Sequence, residues 1–286
     1  MLPSTQCSND STFSVIHLRI LRVTILYLVP CCLYLCALTS PAHGQSGPEG
    51  PPAFRIQSTS ATRLFAACNS FNELNTRIRD NRIARNFAKI ELKRLLTEVR
   101  SEYYRAGGGD FARSAWVFPL EGYDARAISG GRRHGYIASG YDFYSGNRHG
   151  GHPSYDIFIR DRNRDSRDDR SGRPVKVRSL TGGVVVALEP EWEPGSRLRG
   201  GRYLWVYDPA SELLVYYAHN GELSVKLGDL IKPGDLLGSV GRSGWNAANG
   251  RSPTHLHLTV VQARDGKARP VAVYEDLRRA AVSALL

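Results

Sequence analysis

The sequence predicts an α+β protein, in which a helical region precedes a mainly β domain built from an antiparallel sheet or a small sandwich. Between residues 60 and 104, apolar side chains recur at spacings of mostly three to five, without Pro or Gly, as in amphipathic helices. Beyond Trp116, short apolar runs are divided by Gly, Pro, Asn and Asp, which is typical of strands joined by close turns. No βαβ alternation and no nucleotide-binding glycine pattern is found.

The chain divides into five predicted segments. Residues 1–44 form an export segment, 45–59 a Pro/Gly linker, 60–110 a region of one or two helices, 116–276 the β domain, and 277–286 a tail. The predicted strands are residues 155–159, 183–188, 203–207, 213–218, 236–240 and 255–261.

The N-terminal segment has the composition of a secretory signal. Arg19 and Arg22 precede the apolar stretch 23–38, and the small and polar residues TSPAHGQS follow it. We therefore predict a signal peptide that is cut before Gln45. The alternative is an uncleaved anchor that attaches the protein to a membrane, although the apolar run is short for a span. Either interpretation predicts an exported protein in the periplasm, the cell envelope or the medium.

Charge and cysteine usage restrict the classes of function. The formal net charge is +11, which favours a polyanionic partner, but no nucleic-acid-binding motif is found and we predict no nucleic-acid partner. Of five cysteines, only Cys68 lies beyond the export segment. An internal disulfide and a thiolate metal site are therefore excluded from the remainder of the chain, and we expect Cys68 to be a small buried residue.

Four of the eight histidines fall in three short motifs. In THLHL, at residues 254–258, a strand would direct His255 and His257 to one face and Leu256 and Leu258 to the opposite, core-facing side. The alternative for an isolated HxH pattern is two polar positions on a solvated strand.

The other two motifs are HPSYD, at residues 152–156, and YYAHN, at residues 216–220. His152 and Asp156 offer a nitrogen and an oxygen donor, which suit zinc, although a surface His–Asp pair is the alternative. His219 is predicted to lie where its strand ends. Tyr216 and Tyr217 are expected to pack across strands, with a cleft-facing position as the alternative for one of them.

The order HxxxD, a YxH-like strand end and HxH resembles the lysostaphin/LytM-type zinc endopeptidases. The likeness extends over roughly residues 149–274 and includes Pro174–Val175 before GGVVVAL, the turns at Gly228–Asp229 and Gly234–Asp235, and SPTHLHL. It covers the β part and leaves out the helical region.

The resemblance implies a function and a role for each motif residue. His152, Asp156 and His257 match the metal ligands of one zinc per chain, and His219 and His255 match two unligated catalytic histidines. The implied reaction is hydrolysis of peptide bonds in peptidoglycan cross-links by zinc-activated water. The alternatives are a non-catalytic member that binds the wall or activates a hydrolase, and a zinc peptidase acting on proteins.

The chain departs from the family pattern after Asp156. The segment DIFIRDRNRDSRDDRSGRPV is much longer than the family's loop, and its acidic residues from Asp161 to Asp169 are spaced like the start of a calcium loop. A solvated loop of mixed charge is the favoured interpretation, with Ca²⁺ as the alternative. Trp205 is predicted to be in the core, and Trp245 to face substrate from the loop before HLH.

Overall fold

A computed structural model describes residues 59–148 and 150–284, all within one compact unit. The predictions of a signal peptide or anchor, and of most of the linker, fall outside the described residues. Within the described part, no helix is both long and apolar enough to cross a membrane.

The N-terminal helices are present where the apolar period predicts them. Helix α1 begins after Thr59, whose side-chain oxygen accepts a hydrogen bond from the backbone N–H of Thr62, an N-terminal cap. A turn at residues 80–84 separates it from α2. The helices are α1 (Ser60–Arg79), α2 (Arg85–Arg105), α3 (Trp245–Ala248) and α4 (Tyr274–Arg279), with short 3-10 turns at Arg113–Ala115, Ala125–Ala127, Arg132–Gly135 and Phe143–Arg148.

The described strands form one nine-stranded antiparallel sheet, so the predicted fold class is confirmed. Its main order is β1-β8-β5-β4-β3-β6, while β7 pairs with β2 and β5, and β9 pairs with β8. The strands are β1 (Ser154–Phe158), β2 (Lys176–Arg178), β3 (Gly183–Glu189), β4 (Arg202–Asp208), β5 (Leu213–Leu223), β6 (Leu230–Ile231), β7 (Leu236–Val240), β8 (His255–Arg264) and β9 (Lys267–Pro270).

All six predicted strands exist, and three others were not predicted. Strands β2 and β6 are only three and two residues long, too short for a period to be recognised. Strand β9 reads KARP and shows no apolar alternation, because it is an edge strand that pairs only with β8. Short and polar strands of this kind are recruited by their neighbours rather than by their own pattern.

The two faces of the sheet pack into separate cores. On one face, Leu256 and Leu258 are fully buried with residues such as Trp116 and Tyr217, which confirms the predicted inward side of β8. On the other face, α1 and α2 cover the sheet. Their apolar side chains form a second core with strand residues, namely Leu64, Phe71, Leu92, Val99, Val184, Val186, Trp205, Leu214 and Val261.

The candidate site and the helices lie on the same face of the sheet. Side chains two residues apart on a strand share a face, so His255 and His257 lie on the face of Val261, which packs with the helices. At the end of α1, Asn75 donates to the Tyr203 hydroxyl at 3.1 Å. The helical region therefore borders the site as well as preceding it in the chain.

Cys68 is fully buried between the helices and the sheet, as the sequence predicts. Burial raises the pKa of its thiol to about 12, despite a backbone hydrogen bond with Gly228. Only the thiolate reacts readily with alkylating agents. We therefore expect the peptide that contains Cys68 to stay unmodified by iodoacetamide at pH 8 in the folded protein. Mass spectrometry should find it modified only after denaturant is added, and rapid labelling of the native chain would contradict this packing.

Candidate metal centre and groove

Strand pairing places Asp156 opposite His257. In the antiparallel register of β1 and β8, Asp156 pairs with His257 and Phe158 pairs with His255. Directly opposed residues project to the same face, about 5 Å apart at their Cβ atoms. The Nδ1 atom of His257 accordingly lies 2.9 Å from Oδ1 of Asp156. Two motifs separated by about a hundred residues thus meet because their strands are neighbours.

His152 is positioned by the loop that precedes β1. Its backbone exchanges two hydrogen bonds with Ile137, each 2.7 Å long. Its Nδ1 lies 3.0 Å from the carbonyl oxygen of Gly135, to which it donates in the neutral tautomer. The other ring nitrogen, Nε2, then keeps its lone pair and lies 3.3 Å from Oδ1 of Asp156. The segment 135–139, which the sequence did not indicate, therefore orients this histidine.

His255 is buried beside the same carboxylate. It is 4% exposed, and its Nδ1 lies 2.8 Å from the carbonyl oxygen of Pro253, so Nε2 is the nitrogen left for chemistry. That Nε2 lies 3.5 Å from Oδ1 of Asp156. Burial is the main cause that lowers the pKa of His255, which favours the neutral imidazole.

His219 does not lie at a strand end, and this expectation was wrong. Strand β5 continues to Leu223, because it changes partner after an irregularity near Asn220 and there pairs with β7. His219 itself has a left-handed backbone, with φ of 63°. Its N–H donates to Gly200, and its Nδ1 lies 2.8 Å from the carbonyl oxygen of Ser243. The kink turns its ring toward His255, with 4.8 Å between ring centroids.

The five predicted residues are thus brought together, and two overlapping sets could hold a metal. Donor atoms of His152, Asp156 and His257 all lie within 4.8 Å of one another, and so do those of His219, His255 and His257. The first set fits a catalytic zinc, since it combines two nitrogens and one oxygen and leaves room for water. The second, three imidazoles, also fits zinc chemically. Their individual roles stay predictions.

The carboxylate of Asp156 is held in its charged form. Its burial alone would raise the pKa, but hydrogen bonds with His152 and His257 outweigh burial and lower the pKa far below its usual range. An ionised carboxylate is the form that binds a cation. The backbone carbonyl that accepts from Nδ1 of His152 acts as an outer partner of the kind that fixes a metal-binding histidine.

An open groove of about 490 Å³ exposes these side chains. Its walls also include Tyr216 and three residues that the motifs did not assign to the site, namely Arg199, Asn246 and Arg251. No periodic signal marks the two arginines, because both lie in irregular loops. Tyr216 is the cross-strand tyrosine that faces the cleft, whereas the Tyr217 hydroxyl accepts from the backbone N–H of Leu180 at 2.8 Å.

A smaller cavity of about 100 Å³ connects the groove to α1. His257 and Tyr216 line both spaces, and Ile78 and Arg79 of α1 contribute to the smaller one. Trp205, which is buried as predicted, forms part of its wall. The helical region therefore lines a cavity that shares His257 with the candidate metal centre.

The segment that follows Asp156 is tied together by its own carboxylates. Asp161 accepts hydrogen bonds from the backbone N–H groups of Asp165 and Ser166, and Asp169 accepts from that of Arg162. Among the described residues, the metal-suited groups are the two histidine sets and include none of this loop. Calcium binding is therefore not supported, because the carboxylates that would bind it already satisfy the turns.

Trp245 and His134 contribute little to the groove. Trp245 is 36% exposed in α3, but the groove wall from this loop is formed by Asn246, Arg251 and Ser252. His134 stacks on Tyr274 with 3.6 Å between ring centroids, outside the groove.

The antiparallel sheet carries a His/Asp cluster in an open groove, an arrangement that could hold a metal ion. Residues 169–271 match the model of peptidase family M23, and this confirms the resemblance to the LytM-type peptidases. The matched part contains His219, His255 and His257. It begins inside the long loop, after His152 and Asp156, so those two residues lie outside the match.

Solved structures of similar proteins include three peptidases. A putative glycyl-glycine endopeptidase LytM from Ruminococcus gnavus is 20% identical, over 79% of this chain and 98% of that one, with a TM-score of 0.41. The lysostaphin catalytic domain from Staphylococcus simulans is 22% identical, over 48% and 86%, with a TM-score of 0.32. A zinc-containing peptidase from Vibrio cholerae is 21% identical, over 57% of this chain but only 39% of its own, with a TM-score of 0.34. A search of curated proteins gave no significant match.

Protonation of His219 should couple to stability in the chelated protein. Burial, followed by repulsion from His255 and His257, lowers its pKa from 6.5 to about 3. Between these values the unfolded chain binds a proton that the folded chain does not, so the free energy of unfolding falls as the pH falls. A His219→Asn variant, which suits the left-handed backbone, should lose less stability between pH 7 and pH 4.

Urea denaturation at both pH values in the presence of chelator measures this difference. His134 also has a left-handed backbone, with φ of 54°, so His134→Asn is the control for introducing Asn in that conformation. An equal loss of stability in the wild type and in His219→Asn would refute the burial of a neutral His219.

Proposed function

We propose that the protein is an exported zinc metallo-endopeptidase that hydrolyses peptide bonds in peptidoglycan cross-links. The observation that carries the proposal is the convergence of Nε2 of His152, Oδ1 of Asp156 and Nδ1 of His257 in an open groove. The M23 match supports the peptidase class. The basic, apolar and small-residue pattern of residues 1–44 supports export.

In this proposal, His152, Asp156 and His257 hold the zinc, and it supplies Lewis acidity that activates water and polarises the scissile carbonyl. His255 is the general base: its lowered pKa keeps it neutral, and its Nδ1–H bond to Pro253 leaves Nε2 free to accept a proton. His219, whose Nδ1 is held by the carbonyl oxygen of Ser243, is the second catalytic histidine; it would stabilise the oxygen that becomes negative only once Nε2 has also taken up a proton.

The groove explains how a peptide chain could be accommodated. It is open rather than enclosed within the protein, so a polymer can reach the side chains that line it. Tyr216 closes its floor beside His257, with 6.3 Å between ring centroids. The helical region forms one boundary through the smaller cavity. An endopeptidase needs such a passage, because its scissile bond lies within a chain.

Purified protein incubated with cell-wall sacculi, with and without chelator, tests the proposal. We expect release of soluble fragments with new amino termini, loss of release with chelator, and recovery on adding zinc. Binding to sacculi without cleavage would favour a non-catalytic wall-binding protein. Cleavage of casein but not of sacculi would favour a zinc peptidase acting on proteins.

A further inference from the structure

The long segment after β1 exposes a cluster of positive charge beside the groove. Six arginines occur between residues 160 and 173, and all of them are exposed. Of the acidic residues between them, Asp161 and Asp168 are buried. Asp161 and Asp169 accept backbone N–H groups, as described above, and Asp168 accepts those of Arg170 and Ser171. These carboxylates thus bind backbone N–H groups of the loop itself, whereas the guanidinium groups are exposed to solvent.

Four of these arginines line one open pocket of about 690 Å³. They are Arg160, Arg162, Arg164 and Arg170, and they face only two carboxylates in the same pocket, those of Asp161 and Asp169. Within the described part of the chain, no carboxylate lies within 4.0 Å of these four guanidinium groups. We call the four residues the arginine cluster.

The arginine cluster adjoins the metal groove. Pro253 lines the pocket of the cluster, and the two preceding residues, Arg251 and Ser252, line the groove. The guanidinium group of Arg164 links the long loop to the segment before β8, because it donates to the carbonyl oxygen of Gly250 at 3.2 Å. A chain lying in the groove would therefore pass Arg251 and reach the cluster.

The groove opposes this positive charge with a single carboxylate. Its one lining carboxylate is Asp156, which is engaged by histidines, whereas Arg199 and Arg251 line its walls. Burial is the main cause that lowers the pKa of Arg242, and repulsion from Arg164 lowers it further, against the attraction of Asp161. Charge of one sign along a cleft raises the local concentration of oppositely charged ligands.

We propose that the arginine cluster is an anion subsite that binds a carboxylate-bearing segment of the polymer whose peptide bond lies in the groove. Guanidinium groups bind carboxylates through paired hydrogen bonds, and a row of them favours a ligand with repeated charges. This assignment of substrate chemistry rests on the proposed function, but binding at the subsite requires no turnover.

Binding of fluorescent polygalacturonate to the full zinc-loaded chain tests the subsite. This probe carries repeated carboxylates and no peptide bond to be cleaved. We expect saturable binding that weakens with salt, since exposed charges are screened within about 8 Å at physiological ionic strength. Replacing all four cluster arginines with Gln should weaken binding by about tenfold or more. Neutral dextran should not bind.

A matched variant separates the cluster from total charge. It loses four exposed positive charges elsewhere and should bind within about twofold of the wild type; the substitutions are Arg77→Gln, Lys267→Gln, Arg269→Gln and Arg279→Gln. Equal weakening in both quadruple variants would overturn the subsite. A double variant, Arg162→Gln with Arg170→Gln, keeps the contact of Arg164 and should show a partial loss if the cluster variant proves unstable.

Two further measurements assign the chemistry. If cluster-dependent binding is found for polyphosphate and not for polygalacturonate, the carboxylate assignment is wrong. Cleavage of a short neutral peptide should be equal in the wild type and the cluster variant, whereas release from sacculi should fall in the variant. If no peptide is cleaved by either protein, the proposed peptidase function fails, and polygalacturonate binding still decides the subsite.

Discussion

Replacing His257 with Ala should abolish zinc binding and lower peptidase activity by more than about 10⁴-fold, because water activation by the metal is lost. His257 is the one residue common to both candidate ligand sets, so its removal leaves neither with three donors. Its Nδ1 also contacts Asp156, so the variant leaves that carboxylate with fewer partners. Elemental analysis of the purified variant and release from sacculi measure the two losses.

Two companion variants decide between the ligand sets. His152→Ala should lose the zinc as His257→Ala does, whereas His219→Asn should keep it. The reverse result would move the metal to the set of three imidazoles. His134→Asn, which suits the left-handed backbone of that residue outside the groove, should keep both metal and activity. If His257→Ala still binds one zinc per chain, the assignment of the ligands is wrong.

Replacing His255 should leave the metal bound and still lower kcat by about 10²- to 10⁴-fold, the usual contribution of a general base. The expectation follows from geometry: Nδ1 of His255 is held by Pro253, and Nε2 lies 3.5 Å from Oδ1 of Asp156, beside the ligands. Because His255 is buried, Gln is the better substitution, since Ala would leave a cavity. Zinc content, thermal midpoint, kcat and KM should be measured together.

The pattern of losses distinguishes a base from a ligand. Replacing a general base lowers kcat and leaves zinc content and KM little changed. Replacing a metal ligand lowers zinc content. If His255→Gln loses its zinc, His255 belongs to the metal set. If it keeps both zinc and full kcat, another group accepts the proton, and the role assigned to His255 is wrong.

Strong periodicity made the helices and the main strands predictable. The apolar repeat of residues 60–104 anticipated α1 and α2, and the alternation in THLHL anticipated the inward side of β8, with Leu256 and Leu258 fully buried. Strand β9 escaped prediction because its pairing with β8, rather than its own pattern, makes it a strand.

The position of His219 could not be predicted from the local sequence pattern. Alternation in LLVYYA predicted a strand, and a strand was found, but the chain then continued through a left-handed residue to pair with β7. A left-handed histidine is unfavourable in isolation. Hydrogen bonds with Gly200 and Ser243, both distant in sequence, hold that conformation, so no local pattern could reveal it.

The sequence by itself determined the fold class, the burial of Cys68 and the residue types available to a metal, since these follow from periodicity and from which donors the chain contains. The tertiary structure alone decided that α1 borders the groove, that Asp156 stands opposite His257, and that arginines of the long loop adjoin the groove. The reason is physical: periodicity records which face of an element is apolar. Which element lies beside which depends on strand register and on hydrogen bonds between residues far apart in the chain.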